Sequence, residues 1–206
     1  MFAFDRGLQS RFVAGADEAG RGCLAGPLVA AAVLIDYEAL SLADRRALGG
    51  LHDSKQMTEE KRLEMYPCVL RAAARVSVVV RSAAGIDRRG LHVTNLEALS
   101  VALERLAAPA EAICLSDGFS LRRCRVPHRA VIEGDGTSAA IAAASVIAKV
   151  TRDRYMRDAA ERHPGWGFEE HVGYSTPEHR AAIEEIGISP LHRRSFQSVA
   201  YSQLSL

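Results

Sequence analysis

Residues 28–35 read Leu-Val-Ala-Ala-Ala-Val-Leu-Ile, an unbroken apolar run of strand length. A strand with one wet face alternates apolar and polar residues; a run without alternation predicts a strand covered on both faces. That excludes a sheet with one open face and calls for helical layers above and below. Residues 12–16 (Phe-Val-Ala-Gly-Ala) form a second such run, separated from the first by a bend at Gly26-Pro27. Their close succession predicts an antiparallel pair. The chain has 206 residues, of which 48% are hydrophobic and 25% charged, which suits one compact α/β domain with a real core.

The remaining punctuation fills in this frame. Thr58-Glu59-Glu60 opens a helix running towards Arg75, which Pro67 is expected to kink or divide. Val76-Ser77-Val78-Val79-Val80 is a β-branched run and a third strand. Leu96, Leu99, Leu103 and Leu106 recur at helical spacing within 91–106. A fourth strand at 112–115 ends at Asp117-Gly118, and a fifth at 130–132 ends near Asp135-Gly136. An alanine-rich helix follows from Ser138 towards Ala160, and the last ~45 residues read as turns and short helices. The expected fold is a mixed five-stranded sheet with helices on both faces and a C-terminal helical extension. In such sheets ligands gather at strand ends, and Asp17, Asp117 and Asp135 all stand at strand ends beside or near glycine.

The chemistry concentrates in Asp17-Glu18-Ala19-Gly20-Arg21-Gly22. Carboxylates favour hard cations such as Mg²⁺ and Mn²⁺, glycines allow close backbone approach, and arginine pairs with phosphate. Neighbours on a regular strand point to opposite faces, so Asp17 and Glu18 share one site only if the strand bends there. No GxxxxGK[ST] loop, G-x-S-x-G elbow or zinc spacing is present, which leaves water activated by metal as the nucleophile. The balance of 26 Lys+Arg against 25 Asp+Glu gives a net charge of +1, so any basic surface must be local. Cys23, Cys68, Cys114 and Cys124 show no CxxC pairing and read as reduced structural thiols. The charged start rules out a signal peptide, and no run reaches the ~20 apolar residues of a membrane span. A cytoplasmic monomer is the expectation.

Together these motifs resemble the ribonuclease HII family. Gly15-Ala16-Asp17-Glu18-Ala19-Gly20-Arg21-Gly22 and Leu24-Ala25-Gly26-Pro27 are similar to its opening motif. Asp53-Ser54-Lys55 resembles its DSK segment, while Asp117-Gly118 and Gly134-Asp135 resemble its DG and KGD elements. The stretch 143–153 resembles its long-helix signature; 173–176 and 192–196 resemble its C-terminal motifs. The resemblance implies an RNase H-like fold and cleavage of RNA in RNA–DNA hybrids. It also implies incision 5′ to single ribonucleotides in duplex DNA, leaving 5′-phosphate and 3′-hydroxyl ends. By the same resemblance Asp17, Glu18, Asp117 and Asp135 hold Mg²⁺ or Mn²⁺, two ions during catalysis. Gly20, Arg21 and Gly22 read the ribose 2′-hydroxyl, the group that locally separates RNA from DNA. Tyr174 packs against the sugar on the DNA side. Ser54, Lys55, Lys149, Arg193 and Arg194 are candidates for phosphate contacts.

Alternatives stay open at this point. Lys149 and Asp153 stand i, i+4 and can pair on a helix face. A catalytically silent hybrid-binding module, or the relative ribonuclease HIII, would share much of the pattern. Two departures stand out: Glu133 and Val172 occupy positions where the family often carries lysine. Gln203, Leu204 and Leu206 near the C-terminus resemble the short peptides that bind the bacterial sliding clamp; a frayed tail at 201–206 is the alternative.

Overall fold

A computed structural model describes residues 1–51 and 56–196. Its strands are β1 (Phe12–Ala19), β2 (Leu28–Asp36), β3 (Arg75–Arg81), β4 (Ile113–Asp117) and β5 (His128–Val131), arranged β3-β2-β1-β4-β5. β1, β2 and β3 form an antiparallel meander, and β1, β4 and β5 run parallel. Helices α1 (Phe2–Gly7), α2 (Leu42–Ala47), α3 (Glu59–Ala72), α4 (Ala83–Arg89) and α5 (Leu91–Leu106) precede β4. After β5 come α6 (Gly134–Thr137), α7 (Ala139–Arg162), α8 (Phe168–His171) and α9 (Pro177–Ile186).

Every residue of β2 is buried, as its unbroken apolar run predicts. Val29, Ala31, Val33 and Ile35 join the core under α7 and α3, while Leu28, Ala30, Ala32 and Leu34 join the core under α5. The small side chains of β1 let α7 press onto the sheet. A Cβ on Gly15 would stand 2.2 Å from the backbone of Ala140 and of Ile141. The start of α7 is held twice: Ser138 accepts the Ile141 amide at 3.4 Å, and the buried Asp5 carboxylate accepts the Ala140 amide at 3.0 Å. Tyr37 donates to the same Asp5 oxygen at 2.6 Å, and burial pushes the Asp5 carboxyl above its usual range.

Of the kink or division expected at Pro67, the division does not occur: α3 runs through it. The helix is anchored by Met65 and Val69 on its buried face, whereas Pro67 is exposed. Leu63, whose carbonyl Pro67 leaves without a backbone donor, is also on the exposed side at 38%, where an internal proline costs least. The helix also stops at Ala72, before Arg75, which opens β3.

The C-terminal part is built around histidine. His171 stacks on His179 at 4.1 Å between ring centroids, and Phe168 packs edge-on against both. The Ser189 amide donates to His192 Nδ1 at 2.8 Å, which leaves the His192 proton on Nε2, where it donates to His179 Nε2 at 3.0 Å. His179 Nδ1 then donates to the Tyr174 carbonyl at 2.7 Å. Burial pulls both His179 and His192 down to about 4. The unfolded chain takes up protons below about pH 6.5, before the folded one does. Stability is therefore fully present above that pH and falls as pH drops from about 6.5 to about 4, by a few kcal/mol in all. Urea denaturation across this window checks the slope; His179→Gln should flatten it.

Candidate metal centre

The parallel pairing of β1 with β4 ends at Ala16 opposite Ser116, so the next residues, Asp17 and Asp117, stand side by side. Asp135 arrives from α6. Its approach depends on Gly134, whose amide donates to Asp117 Oδ1 at 2.8 Å. A Cβ there would lie 2.6 Å from Ile141 Cδ1 and 3.1 Å from that oxygen. Carboxylate oxygens of Asp17, Asp117 and Asp135 consequently lie within 4.8 Å of one another, with Asp17 and Asp135 buried. Asp17 Oδ1 accepts the Glu18 amide at 2.7 Å, while Oδ2 is buried with no hydrogen-bond partner. Desolvation, then the nearby charges of Glu18 and Asp117, push the Asp17 carboxyl well above its usual range. Buried, mutually repelling oxygens with unused lone pairs are the donor set of a hard divalent cation. The residues present therefore fit Mg²⁺ or Mn²⁺.

Glu18 leaves β1 on the face opposite Asp17. β1 does not bend at Glu18 but runs on to Ala19, with Glu18 still paired opposite Ala30. Alternation puts Glu18 on the α5 face with Ala14 and Ala16. It stands outside the three-aspartate group and pairs with Arg21 at 3.7 Å. The Arg21 guanidinium in turn lies 4.7 Å over the Phe119 ring.

The turn after β1 is set by two buried arginines. Gly20 has φ +94°, and a Cβ on it would stand 2.2 Å from Arg152 Nε, whereas the space around Gly22 is open. Arg152 donates to the carbonyls of Pro27, Ala25 and Val172 at 3.0, 2.9 and 2.8 Å. Arg193 donates to the carbonyl of Arg21 at 3.0 Å, to that of Gly26 at 3.1 and 3.0 Å, and to that of Pro27 at 3.2 Å. Both side chains are fully buried. Burial lowers Arg193 to about 10, so it stays charged at neutral pH. The expectation that Arg193 meets phosphate is corrected: its donors are taken up by backbone carbonyls, and it positions the turn instead. Arg152 was not singled out in the sequence. Its signal is the spacing Ala148, Arg152, Met156, an arginine on a helix face otherwise buried.

Other candidates surround this turn. Lys149 pairs with Asp153 at 2.8 Å, realising the i, i+4 alternative, and its Nζ also lies 5.0 Å from the centre of the Tyr174 ring. Tyr174 is 39% exposed, which leaves ring surface for a ligand. Arg194 has an exposed side chain, its amide held by Asp87 at 3.0 Å. Glu133 is exposed next to the cluster, while Val172 is buried against Phe168 and Met156. Ser54, Lys55, Gln203, Leu204 and Leu206 lie outside the described residues.

A sheet in this order, carrying an oxygen-only cluster at the ends of its central strands, defines a nuclease of the RNase H-like fold. The comparisons with known proteins agree. The chain is similar to the crystal structure of ribonuclease H2 from Pyrococcus horikoshii, with TM-score 0.77 and 26% identity over 95% of this chain and all of that one. The structure of the PCNA:RNase HII complex from Archaeoglobus fulgidus matches with TM-score 0.74 and 29% identity, covering 92% of this chain and 95% of that chain. Ribonuclease HII of Salinispora tropica is 49% identical over 203 residues, covering 97% of this chain and 73% of the relative. The profile of the ribonuclease HII family matches residues 14–199, and the chain belongs to that family. It is an endonuclease that cleaves the RNA strand of RNA–DNA hybrids and serves ribonucleotide removal. Among the described residues no helix is long and apolar enough to cross a membrane.

Proposed function

We propose that Asp17, Asp117 and Asp135, with Glu18 as the fourth carboxylate, hold two Mg²⁺ or Mn²⁺ ions. There the chain cuts 5′ to a ribonucleotide, in long hybrids and at single ribonucleotides in duplex DNA. The observation that carries this reading is the three-aspartate cluster, with Asp17 and Asp135 buried, followed in sequence by an open glycine turn. Bound there, the ions supply water activation and neutralise charge on the scissile phosphate. The protein residues supply selection. Gly20, Arg21 and Gly22 present main-chain groups to the 2′-hydroxyl, and the Gly22 side of the turn leaves room for a ribose. Arg193 and Arg152 keep those main-chain groups fixed, since the bonds they make are charge-assisted and buried. Tyr174 packs on the neighbouring deoxyribose. Lys149, Arg194, Ser54 and Lys55 hold flanking phosphates.

The test is a DNA duplex carrying one ribonucleotide, incubated with Mg²⁺ or Mn²⁺. A single cut on the 5′ side, absent from an all-DNA control, is expected. Binding without cutting would favour a silent module, and cutting of long hybrids alone would favour a ribonuclease HIII-like specificity.

Two further results are expected. Glu133 puts an exposed negative charge beside the cluster. Glu133→Lys should tighten hybrid binding several-fold at moderate salt and steepen the log–log salt dependence by about 1; an unchanged affinity and slope would reject this. The solved Archaeoglobus fulgidus relative was captured with PCNA, which supports reading residues 203–206 of this chain as a clamp-binding peptide. Their deletion should abolish capture by the bacterial sliding clamp while hydrolysis stays unchanged.

A further inference from the structure

Near-neutral overall charge requires any basic surface to be local, and the structure has such a place away from the carboxylates. A cleft of about 750 Å³ opens between α5 and the loop joining β4 to β5. This lies within the span of ligand-sized pockets, about 300–1,000 Å³. Arg122, Arg123 and Arg125 line it from the loop, and Arg81 lines it from the end of β3. Among the described residues none of these four guanidinium groups has an ion-pair partner, and Arg81 Nε is buried without a hydrogen bond. The two acids lining the cleft are already engaged: Glu97 pairs with Arg89 at 2.6 Å, and Glu104 accepts the Arg125 amide at 2.9 Å.

The walls are not only basic. Leu96, Val101 and Leu121 give the cleft an apolar lining, and Phe119 lines it with His92 edge-on at 5.8 Å. Phe119 follows Asp117 by two residues, and its ring also carries Arg21. The cleft is thus continuous with the turn beside the metal centre. A duplex keeps its base faces stacked inside, so its outer phosphates would meet the arginines and leave the apolar recess unfilled. A single strand offers phosphates to the arginines and base faces to the recess and its aromatic ring.

We infer that this cleft binds single-stranded nucleic acid, an unpaired stretch of substrate continuing past the site of cutting. The placement rests on the function proposed above, but strand binding is measured independently of it. The probe is fluorescein-labelled dT8, followed by anisotropy in EDTA, where no cutting occurs. Arg122→Ala/Arg123→Ala/Arg125→Ala should weaken dT8 binding at least ~10-fold at low salt and lower the log–log salt slope by about 2, as expected for three lost phosphate contacts. Val93→Trp, on the exposed rim, should weaken dT8 binding with every charge intact. Cleavage of a blunt hybrid by the triple variant should stay within about twofold of wild type. Unchanged dT8 affinity in the triple variant overturns the inference. So does an unaffected Val93→Trp, which would reduce the cleft to a charged surface. Blunt-hybrid cleavage falling in step with dT8 binding also overturns it, because the arginines would then grip duplex. Wild-type protein that binds dT8 but cuts no hybrid would instead count against the proposed function alone.

Discussion

Asp17→Asn is expected to abolish cleavage of hybrid and single-ribonucleotide substrates, by at least ~10³-fold, while raising the Tm of the metal-free protein. The two effects share one cause. Asp17 is 2% exposed, has one oxygen without a hydrogen bond, and feels the charges of Glu18 and Asp117. A carboxylate so placed is useful only when a cation neutralises it; without one it costs stability. The amide keeps the shape and removes the repulsion, and each kcal/mol regained raises Tm by about 2–4 °C for a chain of this size. Added Mg²⁺ or Mn²⁺ should stabilise the wild type and leave the variant nearly unmoved, because binding to the folded state alone raises stability. Thermal unfolding with and without the ion measures both. A variant that keeps substantial activity, or that melts lower than wild type, would remove Asp17 from the role given to it.

Gly15→Val is expected to prevent folding rather than impair chemistry. The first atom added at this position falls 2.2 Å from backbone atoms of Ala140 and Ile141. Backbone cannot swing aside as a long side chain can. The turn of α7 in question is also fixed by Asp5 and Ser138. Relief requires lifting α7 from β1 and β2, which opens the core holding Val29, Val33, Ile141 and Val146. A loss above about 4 kcal/mol follows, an exceptional range to which severe overpacking is one of the few routes. Gly22→Ala provides the contrast: a Cβ there meets nothing within 4 Å, so the fold should persist while substrate selection suffers. Soluble yield and far-UV circular dichroism separate the two.

The parts legible from sequence are those where one physical demand dominates a stretch of chain. β2 needs both faces covered, and its residues announce it; α5 shows leucines at helical spacing; α7 follows its Ser138 cap. The aspartates were recognisable as acids near glycine at expected strand ends, although β1 runs on to Ala19 and Asp135 lies in α6. Short elements were not: α1, α2 and α4 have six, six and seven residues, too few for a period to emerge, although Ser41 and Ser82 cap two of them. The surroundings of Glu18 and Arg193 were not legible for a different reason. Each has a residue type whose usual place is known, and each is governed by a distant partner: the continued pairing of β1 with β2 for one, a set of carbonyls for the other. No local pattern encodes those partners.

Arg193 reaches back across 172 residues to the carbonyl of Arg21. A contact of such sequence separation carries a large loop-closure cost. During synthesis the strand bearing Asp17 emerges first, yet the turn beside it lacks its brace until residue 193 has left the ribosome. A chain made only as far as α9 therefore lacks this tie between the C-terminal part and the turn that follows β1.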